Sequence, residues 1–97
     1  MDIGLSPEQI DMIVDVIKKA GASRALVFGS RAKGSRRDNS DIDIAIFGSG
    51  VNIGNLHMQL DELPMPYKFD LIHYDDITNI PLREHIDRAG VEIHSCP

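Results

Sequence analysis

The stretch Asp41-Ile42-Asp43-Ile44-Ala45-Ile46-Phe47 alternates in a way that suits a strand with two different faces. Successive side chains of a strand point to opposite sides, so Ile42, Ile44 and Ile46 share one face while Asp41 and Asp43 project together from the other. The isoleucine face calls for a covering layer, and the paired carboxylates call for water or a cation. Just upstream, Ala25-Leu26-Val27-Phe28 is a short apolar run that reads as a buried strand ending in Gly29, where the chain can turn sharply. Gly29 and Ser30 are followed by the ten-residue spacer 31–40 and then by the two aspartates. The segment from 29 to 43, held between two strands, is what the rest of the chain is arranged to support.

The remaining elements follow in order. Ser6-Pro7-Glu8-Gln9 predicts a helix start, with Ser6 as N-cap, Pro7 at the first helical position and Gln9 completing a capping box. Ile10, Ile13, Val14 and Ile17 give it an apolar face, Lys18 and Lys19 suit its C-terminal dipole, and Gly21 ends it. Ser30 to Lys33 predicts a short helix, and 34–40 a polar turn. Gly48-Ser49-Gly50 marks a turn after the second strand. Val51 to Leu63 then reads as a helix with Ile53, Leu56, Leu60 and Leu63 inward, although Gly54 weakens it. Pro64 and Pro66 stop that helix, and Tyr67 to Tyr74 reads as a third strand interrupted by Asp70. After a turn at Asp75-Asp76, Pro81 to Ala89 predicts a last helix with Leu82, Ile86 and Ala89 inward and Gly90 as its stop. Val91 to His94 reads as a fourth, edge strand. No internal repeat or linker interrupts the series, so residues 1–97 are expected to form a single domain of α/β (α+β) class.

The chemistry expected of this pattern is that of a cation and a phosphate. Two aspartates on one face repel unless a divalent ion such as Mg²⁺ lies between them, and Mg²⁺ favours hard oxygen ligands from carboxylates and nucleotide phosphates. Asp70, on a neighbouring strand, is placed to supply a third carboxylate. Asp41, Asp43 and Asp70 are therefore the expected catalytic residues and metal ligands, in a site for two ions. One ion would activate an attacking hydroxyl and the other would neutralise a leaving pyrophosphate. Gly29 lets the backbone approach a phosphate, and the Ser30 hydroxyl with the amides after it can donate to one. Four of the ten basic residues, Arg31, Lys33, Arg36 and Arg37, fall within the seven positions 31–37. Of these, Arg31, Lys33 and Arg37 are carried as triphosphate contacts beside Gly29 and Ser30. His57, His73, His85 and His94 show no metal-ligand spacing and read as surface or core-edge residues.

Composition excludes some functions. A formal charge of −5 argues against a protein that coats nucleic acid by general electrostatics, so the basic cluster points to a local anionic ligand. No apolar run has membrane-spanning length, and the single cysteine, Cys96, cannot form an internal disulfide; the cytoplasm is the expected compartment. A chain this short has no separate domain for a substrate, so a large substrate must bring its own surface.

Gly29-Ser30, the spacer, Asp41-x-Asp43 and the later Asp70 resemble the signature of the nucleotidyltransferases of the DNA polymerase β superfamily, in particular its minimal members. The resemblance covers nearly the whole chain. It implies the nucleotidyltransferase fold, a mixed sheet of three to four strands with helices against it, with Asp41 and Asp43 binding both metals and Asp70 the catalytic one. It further implies ATP as substrate and a nearby-encoded partner, a small helical protein with a HEPN domain. Several such enzymes act as antitoxins by transferring AMP to a tyrosine of that toxin. A domain that neutralises its partner by complex formation alone, with nucleotide as a structural ligand, is the binding alternative. Transfer to a small-molecule or RNA hydroxyl is the other, with RNA disfavoured by the acidic balance.

Overall fold

In the computed structural model the described residues are 3–29 and 41–96. Helix α1 (Pro7–Lys19) opens as its sequence requires: the Ser6 side chain accepts from the Gln9 amide and the Gln9 side chain accepts from the Ser6 amide. This reciprocal cap satisfies two of the four orphan donors of the first turn. At the other end Gly21, at φ 87°, lets its own amide reach Lys18 O and the Ala22 amide reach Ile17 O, which closes the helix and turns the chain into the sheet. Ile13 and Ile17 are buried, with Ile10 and Val16 packed beside them. Val14, expected inward, stands aside from that packed group, and Val16 takes its place.

Strands β1 (Arg24–Phe28) and β2 (Ile42–Phe47) pair antiparallel. Helix α2 (Ile53–Asp61) carries the chain across to β3 (Phe69–His73), which lies parallel to β2. A 3₁₀ turn (Tyr74–Asp76) and α3 (Ile80–Ala89) lead into β4 (Val91–Ser95), antiparallel to β1. The order β3-β2-β1-β4 makes a four-stranded mixed sheet, with three helices among the described residues. Neighbouring strands therefore include one parallel and two antiparallel junctions. Among the described residues no helix is long and apolar enough to cross a membrane.

The alternation of β2 sorts the core into two layers. Ile42, Ile44 and Ile46 face α1 and α2, joining Ala25, Val27, Leu56, Leu60 and Phe69 in the larger cluster. On the other face, Ala45 joins Leu26, Ile77 and Ile86 in a smaller cluster beneath α3, with Phe28, Phe47, Ile72 and Tyr74 around it. Each buried isoleucine or leucine contributes about 1.5–3 kcal/mol, so the first layer carries most of the stabilisation.

Several element bounds differ from those read in the sequence. Helix α2 starts at Ile53, two residues later than expected, because the Asn52 side chain accepts from the Asn55 amide and caps it there. It ends at Asp61, with Leu63 packed on the core from outside the helix. Strand β3 is shorter at both ends. Tyr74 leaves the sheet to stack on Phe47, ring centroids 4.2 Å apart, and its carbonyl accepts from the Ile77 amide. Helix α3 begins one residue early, at Ile80, capped by the Asn79 side chain accepting from Leu82.

His73 ties the end of β3 to the turn after β2. Its Nε2 donates to Gly48 O at 2.7 Å and its Nδ1 to Asp76 Oδ2 at 3.0 Å. Both ring nitrogens thus face acceptors, an arrangement that only the doubly protonated ring satisfies. The hydrogen bond to Asp76, aided by the one to Gly48, holds the His73 pKa above its ordinary value.

Candidate functional site

Strand direction brings the candidate site residues to one end of the sheet. Because β1 runs against β2, its last residue Phe28 lies beside Asp43 near the start of β2. Because β3 runs with β2, Asp70, near its start, falls in register with the same Asp43. Neighbouring strands lie about 4.8 Å apart, so the two backbones hold these carboxylates as near neighbours on one face. Asp41 precedes the strand by one residue, exposed and two positions from Asp43. Asp43 and Asp70 share the sheet face of Ala45 and Ile72, the side on which α3 packs.

Gly29 completes the arrangement from β1. Its φ of 76° lies in the left-handed region that glycine adopts without strain, and a Cβ there would collide with Asp43 Oδ2. The turn therefore runs directly against the carboxylate. Ser30, Arg31, Lys33, Arg36 and Arg37, with the short helix expected over Ser30 to Lys33 and the polar turn after it, lie outside the described residues.

Electrostatics single out Asp43. Partial burial, then the charge of Asp70 and then that of Asp41, push its pKa above the usual carboxylate value. All three causes act in the same direction, because each penalises a negative charge at Asp43. The donor set consists of carboxylates and a backbone turn, which suits a hard cation such as Mg²⁺. Among the described residues no three His, Cys, Asp or Glu side chains converge closely enough to hold a metal ion by themselves. Magnesium characteristically keeps several waters and phosphate oxygens beside one or two protein carboxylates, so a pair such as Asp41 and Asp43 suffices from the protein.

Two features had no readable signal. Phe28 meets His85 of α3 edge to face, at 6.5 Å between centroids, forming an aromatic pair beside the Asp43 position. His57, which reads as a surface or core-edge residue, bonds the Phe69 carbonyl at 2.7 Å, immediately before Asp70. Both contacts join segments far apart in the chain, and no local spacing announces them.

Carboxylates gathered beside a glycine turn suit a site that handles cation-bound phosphates, and on this sheet they define a nucleotidyl-transferring class of protein. The family model described as polymerase beta, nucleotidyltransferase, matches residues 11–96, and the chain belongs to that family. It is 31% identical over 85 residues to a protein of Methanocaldococcus jannaschii named as a candidate protein adenylyltransferase, MJ0435, a match covering 84% of this chain and 89% of the relative. A crystal structure of a toxin–antitoxin complex with AMP-PNP contains a chain that superimposes with a TM-score of 0.74 at 20% identity, over 89% of this chain and 73% of that one. The mixed α/β architecture expected from the sequence is thus the nucleotidyltransferase fold, and the chain is a nucleotidyltransferase.

Proposed function

We propose that this protein transfers AMP from ATP to a hydroxyl, a tyrosine side chain, of a helical HEPN-domain toxin encoded nearby, and so acts as its antitoxin. The observation that carries the reading is the register of Asp43 with Asp70 beside the Gly29 turn. The likeness to a relative named for protein adenylylation supports the reaction, and the shared fold with a toxin–antitoxin chain supports the kind of partner. Residues 1–97 act as one catalytic domain in the cytoplasm, and the acceptor brings its own surface to the site.

Asp41 and Asp43 would hold Mg²⁺, with Asp70 completing the ligands of a second ion. The bound ions would supply charge neutralisation on the triphosphate and a lower pKa for the acceptor hydroxyl. Gly29 and Ser30 would seat a phosphate through backbone amides, with Arg31, Lys33 and Arg37 contributing positive charge. In the transfer the acceptor oxygen bonds to the α-phosphorus and the bond from that phosphorus to the bridging oxygen breaks. Pyrophosphate leaves, and the hydroxyl proton passes to a carboxylate of the site or to water. Asp43 contributes most by fixed position and charge.

Incubating the purified protein with Mg²⁺, labelled ATP and the HEPN protein, and weighing the partner intact, tests the reading. An AMP-sized gain that is absent with Asp41→Asn/Asp43→Asn supports it. A gain retained by the double variant sinks it.

A further inference from the structure

We propose that His57 is a positioning residue for Asp70, acting through the peptide that joins Asp70 to Phe69. This inference rests on the nucleotidyl-transfer reading of the carboxylate site.

Among the described residues strand β3 is an edge strand, paired only with β2. Along a strand, successive carbonyls point to opposite sides within the sheet. The Lys68 carbonyl accepts from the Ile42 amide, so it points toward β2. The Phe69 carbonyl, one residue on, points to the open edge, where no strand can receive it. His57 fills that gap: its ring nitrogen Nε2 lies 2.7 Å from Phe69 O, and since a carbonyl only accepts, Nε2 carries the proton. Phe69 itself is buried in the main core, which fixes the residue on the far side of the same carbonyl.

The Phe69 carbonyl and the Asp70 amide belong to one planar peptide unit, so fixing the carbonyl fixes the plane from which the Asp70 side chain departs. Asp70 stands in register with Asp43, and a tilt of that plane moves one carboxylate relative to the other. The donor is seated on a rigid element. Leu56 and Leu60, flanking His57 on α2, are both fully buried. Asp61 Oδ2 stands 3.4 Å from Nδ1 one turn along the helix, but both side chains are about half exposed and this contact contributes little. The bond to Phe69 O is the one that matters.

The test compares His57→Gln, which keeps an N–H near the Nε2 position, with His57→Leu and the shorter His57→Asn, which do not reach the carbonyl. The first readout is the amide of Asp70 in nitrogen–proton correlation spectra of the protein alone. The proposal expects His57→Leu and His57→Asn to move the Asp70 nitrogen shift and to speed its amide exchange about tenfold or more, with His57→Gln close to wild type. The second readout is transfer with Mg²⁺-ATP. In His57→Leu the expected loss is about tenfold or more in kcat with little change in KM for ATP, restored in part by His57→Gln. If His57→Leu fails to fold, His57→Asn carries both comparisons. An Asp70 amide indifferent to loss of the donor overturns the proposal, as does a variant that lacks the donor and retains full kcat. Should wild type transfer nothing to any acceptor, the functional reading fails, and the amide readout alone decides whether His57 positions Asp70.

Discussion

Gly29 and Asp43 share a space that has no room for a side chain at position 29: a Cβ on Gly29 would overlap Asp43 Oδ2. The glycine of the turn and the first carboxylate inside β2 are thus one structural unit, and a change at either is felt at the other.

Gly29→Ala is accordingly expected to damage both fold and site. The left-handed backbone costs a non-glycine residue about 1–2 kcal/mol, and relieving the collision displaces the Asp43 carboxylate. For a chain of this size the backbone cost alone lowers Tm by about 4–8 °C per kcal/mol. Thermal unfolding and transfer kinetics should show that loss together with a fall in kcat of about tenfold or more.

Asp43→Asn is expected to stabilise the protein while abolishing transfer. The raised pKa of Asp43 means that the folded chain holds its proton more tightly than the unfolded chain. Stability therefore falls as pH rises from the ordinary carboxylate value of 3.8 through the raised one, and the full penalty persists above it. At neutral pH without divalent cations the variant should melt above wild type, and the difference should vanish in acid. Added Mg²⁺ should raise the Tm of wild type more than that of the variant, whose transfer rate should be down by about a hundredfold or more.

The His73 link gives the opposite profile. A histidine whose pKa is raised on folding contributes stability that is complete below its ordinary value of 6.5 and is lost as pH rises through the raised value. His73→Gln should be destabilised at pH 6 by about 1 kcal/mol at most, because solvent screens the largely exposed Asp76 partner. Denaturant midpoints of the two proteins measured from pH 5 to 9 should converge on the alkaline side.

Gly90→Ala separates fold from site. At φ −66° the backbone tolerates any residue, but the new Cβ would stand 2.6 Å from Ile86 O and 3.2 Å from the Leu26 side chain. Forcing α3 away from β1 is expected to cost about 1–3 kcal/mol. Transfer per folded molecule, measured well below the melting temperature, should remain close to wild type.

Local chemistry made much of this molecule readable. The capping box of Ser6 and Gln9, the alternation of β2 and the glycine stop at Gly21 are decided within a few residues, and each forms where the sequence places it. Asp43 could be assigned to a strand face for the same reason. Reading Tyr67 to Tyr74 as a strand beside β2 brings Asp70 toward the same face, but its exact register against Asp43 depends on how α2 returns the chain to the sheet, which no short window contains. His57, His73 and His85 read as surface or core-edge residues, and their contacts with Phe69 O, Gly48 O and Phe28 are not legible because those partners lie 12 or more positions away. The ends of α2 and β3 depart from simple periodicity where the Asn52 cap and the stacking of Tyr74 on Phe47 outweigh it.

The strand order has a thermal consequence. Among the described residues Asp43 rides on a strand with a neighbour on each side, whereas Asp70 rides on an edge strand held by β2 and by what α2 lends it. Edges open at lower free energy than centres. On warming, the Asp70 edge is expected to open while the isoleucine layer is still intact, so that transfer should be lost at a temperature at which the chain is still folded.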